Sequence, residues 1–328
     1  MIVISVGSDR DLFKQTSAVR QRVAALATTT DNLNVIVFTR RRDRLSAFTA
    51  GRLRVYPTDS FSRLFYVWDA YRLARRLSRP DLITAQDPFE CGLAAWLGAR
   101  FWRAKLELQI HTDIGSPAFR RFSLANRIRF WLARFLLPRA DRVRVVSQRI
   151  KDFLISNFKF PISKIEIRPI AVDTESIKKA PVSVDLHQKY PRFKKIILLA
   201  SRLAPEKRID LAIQAMSEVV KTRPDVGLVI VGSGPELSRL QLKTKTYNLQ
   251  PNVVFEPWVE RATLISYFKT ADLFLQTSAY EGYGLALVEA TTAGCPVVST
   301  DVGVAREFGA RIVEPKPAAI AAGILSVL

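Results

Sequence analysis

The sequence predicts an α/β protein of two doubly wound parallel-sheet domains facing a cleft. Three observations carry this expectation. Short runs rich in Val, Ile and Leu alternate with stretches of helical periodicity, as strands buried on both faces by crossover helices do. The alternation stops and then restarts at Lys195. Between the two blocks, residues 173–192 are polar and contain Pro181 and Pro191, the composition of a linker. The expected organisation is a first domain over 1–172, a linker over 173–192 and a second domain over 193–328.

In the first block, Ile2–Val6, Asn34–Thr39, Leu82–Ala85, Lys105–Ile110 and Arg142–Val146 read as strands. Phe13–Ala27, Ser62–Leu77 and Leu93–Trp102 read as helices between them. In the second block the strands are "KIILLASRL", "VGLVIVGSG", "NVVFEPWV", "DLFLQTS" and "PVVST". Asp210–Thr222, Glu236–Thr246, Thr263–Thr270 and Gly284–Ala293 are the helices. Rossmann-like sheets of this kind bind ligands at the carboxyl ends of their strands, so the loops after strands are the places to look for chemistry.

Charge is the unusual feature of the composition. Fifty Lys and Arg against thirty Asp and Glu leave a net +20. Residues 1–180 hold 33 basic and 16 acidic side chains, and the remainder hold 17 and 14. The excess therefore belongs to the first half, which suits an anionic partner such as a membrane face, a phosphorylated ligand or nucleic acid. Cys91 and Cys295 match no metal or redox spacing and read as reduced, partly buried thiols. "MIVISVGS" enters a strand directly, without the basic start of a signal peptide. No apolar run reaches the ~18–20 residues that span a bilayer. The expected location is the cytoplasm or, peripherally, the cytoplasmic face of a membrane.

The stretch "AYEGYGLALVEATTAGCPVVSTD" places Glu281 in a loop after a strand and Glu289 inside the following helix. Glu289 falls five residues after Gly284, so about 7.5 Å along the axis. Gly282 and Gly284 allow a ligand close to the backbone, and the amides at the helix start favour an anion, above all a phosphate. Each carboxylate accepts two hydroxyl donors, which sugar and ribose rings present in pairs. A nucleotide-sugar fits: a sugar ring at Glu281, a phosphate at the helix start, a ribose at Glu289. Read one at a time, Glu281 is equally a capping residue and Glu289 a solvated helix residue. The apolar surroundings of Glu289 favour a partnered, packed carboxylate.

In "ASRLAPEKRID", Arg202 ends a strand and Lys207 precedes the next helix. A planar guanidinium and a compact ammonium together suit a diphosphate. Among fifty basic residues, a pair of solvated surface cations is the plainer alternative. "LVIVGSGPE" carries Gly232 and Gly234 without completing GxGxxG, and reads as a tight strand-to-helix turn beside a ligand.

Together these segments resemble the retaining GT-B glycosyltransferases of family 4. The resemblance covers nearly all of residues 193–313, where "SRLAPEK", "LVIVGSGPE", "NVVFEPWV" and "YEGYGLALVEATTAGCPVVST" follow the family's order, the last being its E-x7-E motif. The resemblance implies that Arg202 and Lys207 hold the donor diphosphate. Glu281 and the amides of Gly282, Tyr283, Gly284 and Leu285 would hold the donor sugar, Glu289 the ribose, and the segment around Val259 the base. Gly232 would line the same site. "LQIHTDIGSP" is similar to the family's strand-end histidine and places His111 near the reacting carbon; a structural histidine at a strand end is the alternative, but with only two histidines in the chain and this position the functional role is favoured. The implied activity is metal-independent hexosyl transfer with retention, from a nucleotide-diphosphate sugar to a lipid, lipid-linked glycan or polysaccharide, with no further cofactor. Family members usually continue with further helices, so the sequence is expected to be a short form or a piece of a longer chain.

"SPAFRRFSLANRIRFWLARFLLPRADRVR" alternates arginines with aromatics. A basic amphipathic helix can lie on an anionic membrane, and each nearby cation contributes ~1 kcal/mol. Crossover packing must bury one face of such a helix, so its aromatics are expected to point mainly into the core. Three rival functions remain at this stage: a nucleotide-sugar epimerase on the same fold, a basic nucleic-acid-binding protein, and a non-catalytic relative. The arginines form no nucleic-acid motif, which argues against the second of these.

Overall fold

The computed structural model describes the backbone of residues 1–328 and the side chains of all of them but residue 18. The chain divides into two compact units, Met1–Arg168 and Pro169–Leu328.

The first unit holds an eight-stranded sheet. Its strands are β1 (Ile2–Gly7), β2 (Asn32–Val37), β3 (Phe48–Ala50), β4 (Leu53–Pro57), β5 (Leu82–Ala85), β6 (Lys105–Ile110), β7 (Arg142–Val145) and β8 (Ile165–Ile167). The order is β3-β4-β2-β1-β5-β6-β7-β8. Only the β3–β4 pair is antiparallel, a short hairpin on one edge. The strands are mostly apolar because both faces are covered: Ile4, Ile36, Leu53, Ile83, Leu108 and Ile110 are fully buried, with Glu107 and Gln109 among the polar exceptions in β6. The order reverses between β1 and β5, where the Gln86 amide donates to the Val6 carbonyl and joins the two strand ends.

The second unit holds β9 (Lys195–Ala200), β10 (Val226–Val231), β11 (Val253–Glu256), β12 (Leu273–Gln276), β13 (Val297–Thr300) and β14 (Arg311–Val313). All are parallel, in the order β11-β10-β9-β12-β13-β14. The helix Ile209–Thr222 buries Ile209, Ile213, Met216 and Val219 in the core of this unit, spaced as one helical stripe requires. The order reverses between β9 and β12, so the loops after these two strands lie side by side.

Several expectations are corrected. Phe13–Ala27 is not one helix: a short 3-10 turn ends at Phe13, and the α-helix Ala18–Ala27 starts after Ser17, whose hydroxyl accepts from the Arg20 amide. Strands β3, β4, β8 and β14 were not anticipated. Residues 173–192 are not a free linker but part of the second unit. They form the helical segments Thr174–Lys179 and Leu186–Lys189. The Glu256 carboxylate accepts from Tyr190 and from Tyr267 and is paired with Lys189 at 2.8 Å. Burial opposes its charge, but these three donors outweigh burial and hold its pKa below the ordinary value. A carboxylate satisfied in this way ties the segment to β11 and to the helix Arg261–Thr270.

Candidate functional site

The site is assembled where the second sheet reverses its strand order. The loop after β9 contains Arg202 and Lys207, and the loop after β12 contains Glu281. Backbone and side-chain bonds join the loops: the Ala279 amide donates to the Glu206 carbonyl at 2.8 Å, and the Thr277 hydroxyl to the Lys207 carbonyl at 2.9 Å. The loop after β13 is attached as well, since Thr300 Oγ1 donates to the Ser278 carbonyl and the Val304 amide to the Tyr283 carbonyl.

Held this way, Lys207 Nζ meets Glu281 Oε1 at 2.5 Å, and Ser278 Oγ donates to the same oxygen at 2.7 Å. Both partners are largely buried, at 17% and 16% side-chain exposure. A pair this sheltered is less screened than a surface bridge, and its geometry is fixed. Arg202 is different. It is 72% exposed and paired with Glu206, its neighbour one turn on, at 2.8 Å. The two cations expected to act together are thus placed in one loop but are not equally organised.

The Glu281–Leu285 segment is shaped by its glycines. Gly284 caps the helix Leu285–Thr292 in the left-handed region at φ 98°. The Leu287 and Val288 amides both reach the Gly284 carbonyl, so the amides of Leu285 and Ala286 belong to the first turn, which has no intrahelical acceptor. Tyr283 is buried beneath the loop, and burial raises its phenol pKa, with Glu307 adding to the rise. Leu285 is exposed and Gly282 half-buried. One contributor escaped sequence reasoning: Gly303 sits at φ 51°, and a Cβ there would fall 2.3 Å from the Tyr283 carbonyl oxygen and 3.2 Å from Glu281 Cβ. Only glycine leaves room for the loop in its observed place.

Glu289 faces Arg261, whose guanidinium lies 3.2 Å from its Oε1. Burial raises the Glu289 pKa and the Arg261 charge lowers it, with a net rise. Arg261 opens the helix Arg261–Thr270, two residues after the half-buried Val259, so it connects the β11 loop to Glu289. Sequence reasoning also missed Arg261, because nothing local distinguishes it from the other cations. Gly232 follows β10 at the opposite side of β9. Its amide donates to the Glu256 carbonyl, and a Cβ would come within 1.9 Å of the Ser201 carbonyl oxygen. The β9 and β10 loops can be this close only with glycine there.

His111 lies in the first unit, directly after β6. Its Nε2 is 3.1 Å from Gln109 Oε1. The ring is exposed, yet the protein around it desolvates the charged form and the nearby Arg144 repels a proton, so its pKa falls to about 4. It is a neutral imidazole at pH 7. The basic helix pair departs from expectation. Phe119 is buried, but Leu124, Ile128 and Trp131 are 65%, 60% and 64% exposed, and Phe122 and Phe135 are also exposed. Positions 124, 128, 131 and 135 form one stripe on the helix Leu124–Leu136, facing away from the core. With Pro117, Arg120, Arg121, Arg127 and Phe130, part of this stripe lines a cavity of about 620 Å³. Among the described residues, no helix is long and apolar enough to cross a membrane.

Comparison with known proteins identifies relatives of both units. Residues 19–176 match the family described as Glycosyltransferase Family 4, and residues 185–328 match the Glycosyl transferases group 1. The alpha-monoglucosyldiacylglycerol synthase of Streptococcus pneumoniae is 26% identical over 77% of this chain and 57% of its own. The GDP-mannose-dependent alpha-(1-6)-phosphatidylinositol monomannoside mannosyltransferase of Mycolicibacterium smegmatis is 30% identical over 51% of this chain and 46% of its own. The chain spans about half the length of the curated relatives it matches. Among solved structures, HepE of Anabaena, determined with UDP and glucose, superposes with a TM-score of 0.74 at 21% identity, over 99% of this chain and 89% of that one. The UDP-forming alpha,alpha-trehalose-phosphate synthase of Burkholderia vietnamiensis gives 0.78 at 16% identity, over 100% and 91%. At these identities the structural likeness is one of fold. With one family matching its first half and the other its second, and with the fold of those structures, the chain belongs to the family 4 glycosyltransferases of GT-B type.

Proposed function

We propose that the protein transfers a sugar from a nucleotide-diphosphate sugar to a lipid, lipid-linked glycan or polysaccharide acceptor, with retention at the anomeric carbon and without a metal. The observation that carries this reading is the sheltered Lys207–Glu281 pair at the reversal point of the second sheet. It sets a phosphate-binding cation beside a hydroxyl-binding carboxylate, which is the order of groups across a sugar–diphosphate bond. Lys207, Arg202 and the first-turn amides of Leu285 and Ala286 would stabilise charge on the departing diphosphate. Glu281 would orient the sugar through its hydroxyls, and Glu289 the ribose, with Arg261 holding Glu289 in place. His111, neutral at pH 7, would serve the reacting end of the sugar as a hydrogen-bonding group and not as a cation.

UDP is the first base to try, because solved relatives bind it; one curated relative uses GDP-mannose. The test is donor consumption with and without a glycolipid acceptor, with product configuration read by NMR. Acceptor-dependent consumption that conserves the configuration is expected. Consumption without acceptor, returning an isomerised donor, would replace transfer by epimerisation.

A second element of the reading is attachment to an anionic lipid surface through the helix Leu124–Leu136. Its exposed apolar stripe and the arginines beside it support this. Vesicle binding should rise with the anionic lipid fraction and fall in a Trp131→Ser, Ile128→Ser variant. Binding indifferent to both would remove this element and leave the transfer reading intact.

A further inference from the structure

The face of the first sheet below His111 carries a chain of polar side chains that a buried core does not require. Glu107, Gln109 and His111 recur at two-residue spacing, so they share one side of the sheet. Glu107 and Thr84 are directly paired across β5 and β6, and both are buried. Thr84 Oγ1 lies 3.0 Å from Glu107 Oε1, Gln109 Nε2 lies 2.9 Å from Thr84 Oγ1, and His111 Nε2 lies 3.1 Å from Gln109 Oε1. Across the neighbouring strand, Arg142 is 3.5 Å from Glu107 Oε2.

The chemistry of these groups allows one direction only. Glu107, ion-paired with Arg142, accepts and cannot donate. The single Thr84 hydroxyl hydrogen therefore goes to Glu107, and Thr84 Oγ1 must accept from Gln109. Gln109 must turn its NH2 toward Thr84 and its carbonyl toward His111. That carbonyl can only accept, so the proton of His111 sits on Nε2 and the lone pair on Nδ1. The carboxylate at the far end sets every step of this order.

We propose that Glu107, Thr84 and Gln109 are positioning residues, a one-way hydrogen-bond relay that locks His111 as its Nε2–H tautomer and presents Nδ1 as an acceptor for a substrate hydroxyl. The use made of Nδ1 rests on the glycosyl-transfer reading; the relay itself does not. His111 has no other hydrogen-bond partner among the described residues to choose its tautomer, and its low pKa keeps the ring neutral, so a tautomer exists to be chosen at pH 7.

Two histidines, His111 and His187, make the test direct. Long-range 1H–15N spectra of the 15N-labelled chain at pH 7 read the tautomer of each ring. His111 should show a protonated Nε2 and an unprotonated Nδ1 in at least nine-tenths of molecules. Thr84→Val should release Gln109 and yield a mixture, Thr84→Ser should restore the single form, and His187 should change in neither. If Thr84→Val does not fold, Gln109→Leu removes the last acceptor and should give the same mixture. A wild-type His111 carrying its proton on Nδ1, or a tautomer indifferent to these substitutions, would overturn the relay. In turnover, Thr84→Val should lower kcat about fivefold, the worth of one neutral hydrogen bond, at unchanged KM, with recovery in Thr84→Ser. A changed tautomer with unchanged kcat would overturn the role of Nδ1. A protein with the expected tautomer that binds no nucleotide-sugar would keep the relay and sink the transfer reading instead.

Discussion

Lys207 and Glu281 are 74 residues apart in sequence and 2.5 Å apart in space, joined where the strand order of the second sheet reverses. Neither has another counter-charge within ion-pair distance among the described residues. Lys207→Ala should weaken binding of a nucleoside diphosphate by roughly 10- to 100-fold, the range for a charge-assisted hydrogen bond. Calorimetric titration with the preferred diphosphate measures it. Equal affinity in the variant would show that Lys207 serves only to hold Glu281.

Gly303 makes the glutamate loop possible. Gly303→Ala adds a Cβ 2.3 Å from the Tyr283 carbonyl at a positive φ. The expected cost is about 1–3 kcal/mol of stability, together with loss of donor binding, because the displaced segment carries Glu281. Urea denaturation and calorimetry report the two effects separately. An unaltered denaturation midpoint would mean that the loop relaxes freely.

Glu289 trades stability for binding. Its folded pKa lies above the unfolded value because burial outweighs Arg261. A raised carboxyl pKa favours the folded state below the unfolded pKa, and that advantage is lost as pH rises through the folded pKa. At pH 7 the ionised group therefore opposes folding. Glu289→Gln should raise the thermal midpoint by about 1–3 °C while weakening ribose recognition. A lowered midpoint would make the Arg261 pair a structural support.

His111 gives the opposite pH dependence. Its pKa is lowered, so the unfolded chain binds the extra proton more readily between about pH 4 and 6.5. Stability from this residue is complete above 6.5 and lost as pH falls through that window. Wild type should lose more stability from pH 6.5 to 4.5 than His111→Asn does. Parallel pH profiles would mean that solvent at the exposed ring cancels the desolvation.

Much of this was legible in the sequence, and the exceptions share a cause. Leu82–Ala85 and Lys105–Ile110 were read to the residue: the first is a short, mostly apolar run, and the second alternates polar and apolar side chains with the two-residue period of a strand. The glutamates and Lys207 stood out through their positions after strands. Arg261 did not, since its significance is a contact with Glu289 28 residues away. Gly303 is set apart by a backbone angle that one glycine among fourteen does not announce. The stripe Leu124, Ile128, Trp131 and Phe135 had visible helical spacing, but Phe119 and Phe130 compete for the inward face, and only packing decides between them. Residues 173–192 looked like a linker because their polar groups are real; Glu256, which satisfies several of them, is 66 residues beyond Tyr190.

The central claim is that the second unit holds a nucleotide-diphosphate sugar between Lys207, Glu281 and Glu289. Calorimetric titration of UDP, GDP and ADP, each with its common sugar conjugates, into wild type and Glu289→Ala tests it most directly. The account predicts micromolar binding of one base series, weakened at least about tenfold by the substitution, as loss of a hydrogen-bonded carboxylate implies. Binding of no series, or binding that Glu289→Ala leaves unchanged, would contradict it.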